Sequence, residues 1–387
     1  MPCRRLADYQ VLMSSDWKYL SIVKGRKGEY RALLDVDDEV LADITPLIAL
    51  WPGEPGEKDS APVSGGFWPA DEGSKVSGSL SEVLLSKIRG RWPADHPLLL
   101  DGKWLNDPAS FQTIIDSARA AGFVPLPVTA LDRADPYQDI VARAIVSDRG
   151  GLVLRLVRAD FAPVRSDLAF RVPELLERFG LTPGDTDLVI DLGELDRLHW
   201  EADEINLEAM CAAALDVGDW RNFAVAGSSV PGKHHPKFLD NGIEPFPRLE
   251  WWIYQKARMR GRIPRLPIFG DYGTSHPEPI EAMPGKNLPN IPSIRYATAD
   301  GFLMVRGLNT KTAGWDHLPP LCKELMARPE WCQGSFSEGD RWIERVANGE
   351  LLDNGNQIRG NYATWKQVSQ AHHLTFVSRQ LANQNAA

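Results

Sequence analysis

The sequence has little cysteine, and this scarcity argues against several kinds of site. The chain of 387 residues includes four cysteines, and none forms a C-x-x-C pair with another: Cys3, Cys211, Cys322 and Cys332. The spacing therefore predicts neither a zinc site built from cysteines nor a disulfide framework. We expect reduced thiols.

Metal-binding patterns of histidine are also missing. The sequence contains no H-E-x-x-H and no H-x-H pattern, and its adjacent His372 and His373 lie on a predicted helix. Neighbouring residues on a helix point about 100° apart, so this pair does not readily chelate one ion. We predict no metal site, and no motif identifies a cofactor.

The chain lacks long apolar runs and a net positive charge. No run approaches the roughly 18 apolar residues of a membrane span, and no apolar stretch follows the first arginines as in a signal peptide. We therefore expect a cytoplasmic protein without a membrane segment. The net charge is −9, so no overall basic field attracts nucleic acid. A local basic patch that binds nucleic acid remains an alternative.

What the chain does have is an alternation of short apolar runs with helix-like segments. Eight such runs span residues 20–23, 44–50, 97–100, 124–128, 151–157, 187–191, 222–226 and 266–269. Runs this short and apolar are typical of parallel strands whose sheet is covered on its outer face. Eight strand–helix units over about 260 residues match the size of a (β/α)8 barrel.

An open, doubly wound sheet is the alternative architecture. Such a sheet usually carries a G-x-G-x-x-G turn after its first strand, and KGRKGE at this place does not match. Pro46, Pro125 and Pro127 lie inside predicted strands, where proline is awkward, and leave those strand boundaries uncertain.

After Tyr272 the pattern changes. SIRYAT and GFLMVRG predict a hairpin, and helices are predicted near residues 320–326, 340–348 and 364–381. We therefore predict an α/β fold with a (β/α)8 TIM-like barrel over residues 1–280. Residues 281–387 are predicted to form a C-terminal α/β extension that packs on the barrel.

Polar residues follow the predicted strands at their carboxyl ends, where active sites of such barrels lie. They are Lys24, Asp101, Arg155, Asp191, Ser228 and Asp271. Two cations with three carboxylates suit a polar, anionic ligand, since arginine can bind phosphate or carboxylate in a bidentate manner. The alternative is an internal ion pair, such as Arg155 with Asp191, that only neutralises buried charge.

Several segments together resemble the phage and bacterial "beta protein" family. They are YLSIVKGRKGEYRALLDV with ITPLIAL, RLEWW, FGDYG, SIRYAT with VRG, SFSEGDRWI and TWKQVSQAHHLTFVSRQL, spread from Tyr19 to Leu381. Members resemble proteins of prophages, phage satellites and bacterial defence islands, and the family brings no agreed catalytic residues or cofactor. The motifs contain Lys24, Glu29, Asp271, Tyr272, Arg295, Arg306, Asp340 and His373. Their C-terminal members suggest that the extension completes a site at the barrel mouth.

Two functions follow from these residues and from the resemblance. The first is a component of an anti-phage defence cassette that binds a polar anionic ligand or a partner protein at the barrel mouth. The alternative is a hydrolase acting on a phosphate-bearing substrate, such as a nucleotide or a nucleic-acid end. The candidate catalytic residues are Asp191, Asp271 and Glu29; the candidate ligand-binding residues are Lys24, Asp101, Arg155, Tyr272, Arg295, Arg306 and His373.

The segment 51–77 is rich in Pro, Gly and Ser and has few apolar anchors. We therefore predict an exposed, mobile loop that limited proteolysis cuts first. Protection of this segment in the free protein would instead indicate a lid or an interface.

Overall fold

The computed structural model describes most of the chain. The described residues are 16–24, 27–50, 92, 96–105, 107–162, 167–196, 199–232, 241–278, 291–351, 355 and 357–386. The loop predicted at 51–77 and the helix predicted after it lie outside these residues.

Eight parallel strands form a closed barrel. They are β1 (Tyr19–Lys24), β2 (Ile44–Ala49), β3 (Leu98–Asp101), β4 (Pro125–Thr129), β5 (Leu152–Val157), β6 (Thr186–Glu194), β7 (Phe223–Ser228) and β9 (Ile268–Asp271). The last of them pairs with the first, Leu20 with Gly270 and Ser21 with Asp271. The predicted TIM-like barrel is therefore confirmed, and the open-sheet alternative is wrong.

Helices follow most of these strands on the outside of the barrel. The described ones are Lys27–Asp35, Asp38–Asp43, Pro108–Ala120, Asp135–Asp148, Leu168–Phe179, Trp200–Val217 and Leu249–Arg260. Capping interactions and a left-handed residue define the ends of two of these helices. Asp107 accepts a hydrogen bond from the Ser110 N–H at the start of Pro108–Ala120, and Gly180 takes a left-handed conformation after Leu168–Phe179.

The period of two along each strand separates two layers of core. Inward residues such as Leu20, Leu99 and Val189 fill the barrel with aliphatic side chains. Outward residues such as Tyr19 and Phe269 pack beneath the helices. Any polar side chain on a strand is therefore assigned to the interior or to the outer face by its position along the strand.

A three-stranded antiparallel sheet accompanies the barrel. Its order is β10 (Ser293–Ala297), β11 (Gly301–Arg306) and β8 (Gly242–Pro247), so the predicted hairpin is joined by a third strand. That strand was missed, and it comes from between β7 and the helix Leu249–Arg260. GIEPFP contains two prolines, which argue against a central strand but are tolerated at a sheet edge.

The remaining helices complete the C-terminal part. They are Thr310–Ala313, Leu318–Met326, Glu338–Ala347 and Tyr362–Ala386, the last called the C-terminal helix below. One flank of the C-terminal helix, including Leu374 and Val377, packs in the outer core of the barrel. The other flank, including Trp365 and Val368, packs with β10 and β11. The domain boundary near residue 280 stays a prediction.

A check of the described helices finds none with the length and apolar character that crossing a membrane requires.

Candidate functional site

The segment after β9 organises the polar groups at the carboxyl end of the barrel. Asp271 ends the strand and Tyr272 follows it, and because successive side chains alternate, they point to opposite sides of the barrel wall. Gly273 has φ +57°, and a Cβ there would lie 2.1 Å from Gln370 Nε2, so this turn requires glycine. One short segment thus contributes to separate clusters inside and outside the barrel.

The mouth cluster consists of Asp101, Arg155, Asp191 and Tyr272, all buried. Arg155 donates from Nη1 to Asp101 Oδ2 at 2.5 Å and from Nη2 to Asp191 Oδ2 at 2.7 Å. The Arg155 Nη2 group also lies 2.6 Å from the Tyr272 hydroxyl, which donates to Asp191 Oδ2 at 2.8 Å. Arg133 adds a second cation on Asp101 Oδ1 at 2.9 Å. The predicted pairing of Arg155 with Asp191 is therefore present.

The charges of the mouth cluster balance one another. Burial by itself lowers the pKa of Arg155, but the carboxylates of Asp191 and Asp101 raise that pKa well above its usual value. Burial raises the pKa of Asp191, and the Arg155 guanidinium outweighs this effect and holds the pKa below its ordinary value. Burial also raises the pKa of Tyr272, which stays a neutral phenol. Two arginines and two carboxylates form a closed network.

The outer cluster surrounds Asp271 on the outside of the barrel. Asp271 Oδ1 accepts hydrogen bonds from the Tyr19 hydroxyl at 2.6 Å and from the Gly273 N–H at 2.8 Å. Its Oδ2 lies 2.8 Å from Nε2 of His373, on the C-terminal helix. The placement of Asp271 at the barrel mouth is therefore corrected: its position in β9 turns it away from Arg155.

His373 binds Asp271 as a neutral ring. Burial lowers the pKa of His373, and the imidazole donates its Nε2 proton to the carboxylate. Burial raises the pKa of Asp271, but its hydrogen bonds and the nearby Arg248 charge outweigh this effect and lower the pKa. Nδ1 of His373 is buried, and none of the described residues forms a hydrogen bond with it. The ring therefore anchors the C-terminal helix through one nitrogen.

Two further charged residues of the outer cluster, Arg248 and Glu250, were not predicted as site residues. The Arg248 guanidinium lies 5.4 Å from the Trp251 ring and 5.9 Å from the Phe302 ring. Glu250 Oε2 accepts from the Ser229 N–H at 2.9 Å, and burial raises the pKa of this carboxyl to about 7. Their signal in the sequence was the RLEWW motif, which the family resemblance had marked.

A third group, the rim cluster, joins the first helix to the C-terminal helix. Glu29 accepts from the Lys24 N–H at 2.6 Å and from the Ser275 hydroxyl at 2.6 Å. Lys366, on the C-terminal helix, donates to Ser275 Oγ at 2.6 Å and to the Thr274 carbonyl at 2.6 Å. The extension therefore does reach the segment after β9, through a lysine of the TWKQ motif that was not among the predicted site residues.

The remaining candidates have separate places. Arg295 Nη1 donates to the Thr274 carbonyl at 2.5 Å and so belongs with the rim cluster. Arg306 ends β11 in the three-stranded sheet, paired with Ser293, and among the described residues no hydrogen bond or ion pair joins it to the three clusters. Ser228 donates to the Ser275 carbonyl at 2.9 Å and supports the same segment.

Above the mouth cluster lies a pair of lysines. Lys24 Nζ is 5.7 Å from the centre of the Trp104 ring, and Lys103 Nζ is 5.8 Å from it. Both lysines also contact Glu278, Lys24 at the backbone carbonyl (2.8 Å) and Lys103 at the carboxylate (3.4 Å). Lys103 and Trp104 were not predicted, and the sequence signal was only their position directly after β3.

His372, the residue before His373, faces away from Asp271. His372 Nδ1 lies 2.9 Å from Asp340 Oδ2, and its Nε2 lies 2.9 Å from the Ala297 carbonyl. Ser337 begins the helix Glu338–Ala347, and its hydroxyl accepts from the Asp340 N–H. The SEGD motif is therefore structural, and the two histidines bind aspartates on opposite flanks of one helix.

The sequence profile of the Beta protein family matches residues 19–379, nearly the whole chain. The chain belongs to the Beta protein family. The match begins at the first residue of β1 and extends into the C-terminal helix. A search of the curated proteins finds no match. Among the described residues of this family member, no three His, Cys, Asp or Glu side chains are grouped so as to hold a metal ion.

Replacing Arg155 tests the role of the mouth cluster in stability. Arg155→Met leaves Asp101 and Asp191 buried with less compensation, so we expect a loss of about 3–5 kcal/mol in the free energy of unfolding. Arg178→Met is the matched control, because Arg178 also contacts two carboxylates, Asp135 and Asp139, but at the surface. The control should lose less than about 1 kcal/mol. Equal losses in denaturant titrations would contradict a structural role.

The Glu250 carboxyl predicts a pH dependence of stability. Its pKa is raised to about 7 in the folded protein, so folding is favoured while it is protonated. This contribution is complete below pH 4.5 and is lost as the pH rises through 7, a change of about 3 kcal/mol. We therefore expect wild type to lose stability relative to Glu250→Gln between pH 5 and about 8. His373 titrates in both proteins and cancels in the difference, and a difference that stays constant with pH would contradict the assignment.

Proposed function

We propose that this protein is the binding component of an anti-phage defence cassette and holds a polar, anionic ligand or partner group at the barrel mouth. The observation that carries the proposal is the complete pairing of Arg155. All three of its guanidinium nitrogens donate to groups of the barrel itself, on Asp101, Asp191 and Tyr272. Because the Arg155 donors already have partners within the barrel, we assign this network a structural role beneath the binding surface and not direct contact with the ligand.

The binding groups we assign are the lysine pair and the Trp104 ring that both lysines contact. Lys24 and Lys103 each lie within cation–π distance of Trp104, and an indole face suits both cations and planar, electron-poor rings. A ligand with phosphate or carboxylate groups beside a flat ring, such as a nucleotide, would match this combination. Lys103 is partly exposed, which leaves its ammonium within reach of a ligand.

Glu278 supports the anionic character of the ligand. Its carboxylate lies 3.4 Å from Lys103 Nζ and is itself mostly exposed, so the ion pair is a weak one. An incoming anion can therefore displace this carboxylate from the lysine at small cost.

The hydrolase alternative requires a carboxylate that is available to accept a proton from water or substrate. Asp191 accepts from Arg155, Tyr272 and the Gly193 N–H. Asp271 and Glu29 likewise accept from internal donors, and these bonds weigh against a general base among the three. The defence context rests on the family resemblance to proteins of prophages and defence islands.

Calorimetric titration with ATP and with inorganic pyrophosphate tests the proposal. We expect Lys103→Gln to weaken binding by about tenfold, because a charge-assisted contact is lost. Glu278→Gln removes the competing carboxylate and should tighten binding several-fold. Lys18→Gln is the control, since Lys18 is an exposed lysine that pairs with Asp43 at the start of β1.

The same variants test the function in cells that carry the gene with its neighbours. Lys103→Gln should reduce phage restriction, and Lys18→Gln should leave it intact. If wild type binds neither probe and Lys103→Gln restricts phage normally, the mouth is not the binding site.

A further inference from the structure

A chain of hydrogen bonds runs from the lysine pair through the rim cluster to the C-terminal helix. The Lys24 N–H donates to Oε2 of Glu29, whose Oε1 accepts from the Ser275 hydroxyl, both at 2.6 Å. Lys366 Nζ donates to the same Ser275 Oγ, also at 2.6 Å. These bonds connect a residue that we assigned to ligand binding at the mouth with a helix near the end of the chain.

Lys366 provides the positive charge for this chain. Glu29 is buried, and Lys366 Nζ lies 3.8 Å from its Oε1. Among the described residues, no other cation lies within ion-pair distance of this carboxylate. A buried carboxylate needs nearby opposite charge or donors to compensate its lost hydration. Without the Lys366 ammonium, we therefore expect Glu29 to turn toward water and to hold the Lys24 N–H less firmly.

Packing around Lys366 keeps this residue in place. Gln370, one turn further along the C-terminal helix, accepts from the Thr274 N–H and the Thr274 hydroxyl at 2.9 Å each. A Cβ at Gly28 would lie 2.8 Å from the Ala363 carbonyl oxygen and 3.1 Å from Lys366 Cβ. The first helix and the C-terminal helix are therefore in direct contact here, and the C-terminal helix fixes the rim cluster by packing as well as by charge.

The Lys24 ammonium depends on the same segment after β9. Lys24 Nζ donates to the Glu278 backbone carbonyl at 2.8 Å, three residues after Ser275. The backbone N–H of Lys24 depends on Glu29, which is itself bonded to Ser275. A displacement of Ser275 would therefore affect both the backbone and the ammonium of Lys24.

We propose that Lys366 is a positioning residue of the ligand site at the barrel mouth, an inference that rests on the proposed function. Lys366 holds Glu29 and Ser275, and these hold Lys24 where its ammonium meets an anionic group of the ligand. Lys366 itself does not bind the ligand, since its Nζ donates to Ser275 and Thr274. The C-terminal helix is thus part of the ligand site, and its effect on binding passes through Lys24.

Calorimetric titration with ATP, on a matched pair of variants in the C-terminal helix, tests this role. Lys366→Met removes the ammonium and keeps most of the length of the side chain. Gln367→Met is the control, because Gln367 Nε2 donates to Asp35 Oδ2 at the end of the first helix that lies away from Lys24. Both changes remove a polar contact between the same two helices, and only Lys366→Met interrupts the chain to Lys24.

We expect Lys366→Met to weaken ATP binding about fivefold and Gln367→Met to leave it unchanged. Ser275→Ala removes one hydroxyl from the same chain and should also weaken binding, so the test does not depend on the folding of one variant. In a Lys24→Met background, Lys366→Met should have no further effect. Equal binding by Lys366→Met and Gln367→Met, or an undiminished effect of Lys366→Met in the Lys24→Met background, would overturn the proposal.

Hydrogen exchange of the Lys24 amide, followed by NMR in the free protein, gives a readout that needs no ligand. This exchange should be faster in Lys366→Met than in wild type or Gln367→Met, since the N–H loses a firmly held acceptor. A wild type that binds no ATP would contradict the proposed function, and the exchange at Lys24 would then decide the positioning role by itself. Unchanged exchange in Lys366→Met would overturn that role, whether or not ATP binds.

Discussion

The alternation of side chains at the end of β9 is the constraint on which the arrangement of this site depends. Asp271 and Tyr272 are neighbours in sequence, and the geometry of a strand sends one outward and the other inward. The outward carboxylate holds His373 of the C-terminal helix, and the inward hydroxyl holds Arg155 in the barrel. A shift of one residue in the register of β9 would exchange these roles and break both contacts.

The interior and the outer face of the barrel compensate buried charge in different ways. Inside, Arg155 lies at hydrogen-bond distance from two carboxylates, so the opposite charges offset the free-energy cost of burying each one. Outside, Arg248 lies between aromatic rings, and Glu250 has no cation within ion-pair distance among the described residues, so burial moves its pKa instead. The mouth is therefore the electrostatically rigid part of the molecule, and the outer cluster is the part that responds to pH.

The sequence was sufficient for features that depend on local pattern and insufficient for those that depend on tertiary context. Eight apolar runs predicted the barrel strands, and the helix predicted near residues 340–348 is the observed Glu338–Ala347. The strand β8 was missed because its prolines are acceptable only at an edge, a position that pairing alone defines. Asp271 was placed at the mouth only because it follows a predicted strand, whereas the strand continues to Asp271 and its alternation turns this side chain outward. Lys366 lies far from the barrel in sequence, and only the docking of the C-terminal helix brings it to Ser275.

The origin of β8 has a consequence for how the chain acquires its structure. This strand leaves the barrel between β7 and β9, and its partner β11 is synthesised only after the barrel sequence is complete. During translation, residues 242–247 therefore emerge as an unpaired edge while the eighth barrel strand is still to come. One strand of the C-terminal sheet is thus encoded within the barrel sequence, between two barrel strands. A single exchange within the gene that replaces the whole C-terminal sheet must therefore replace β9 of the barrel as well.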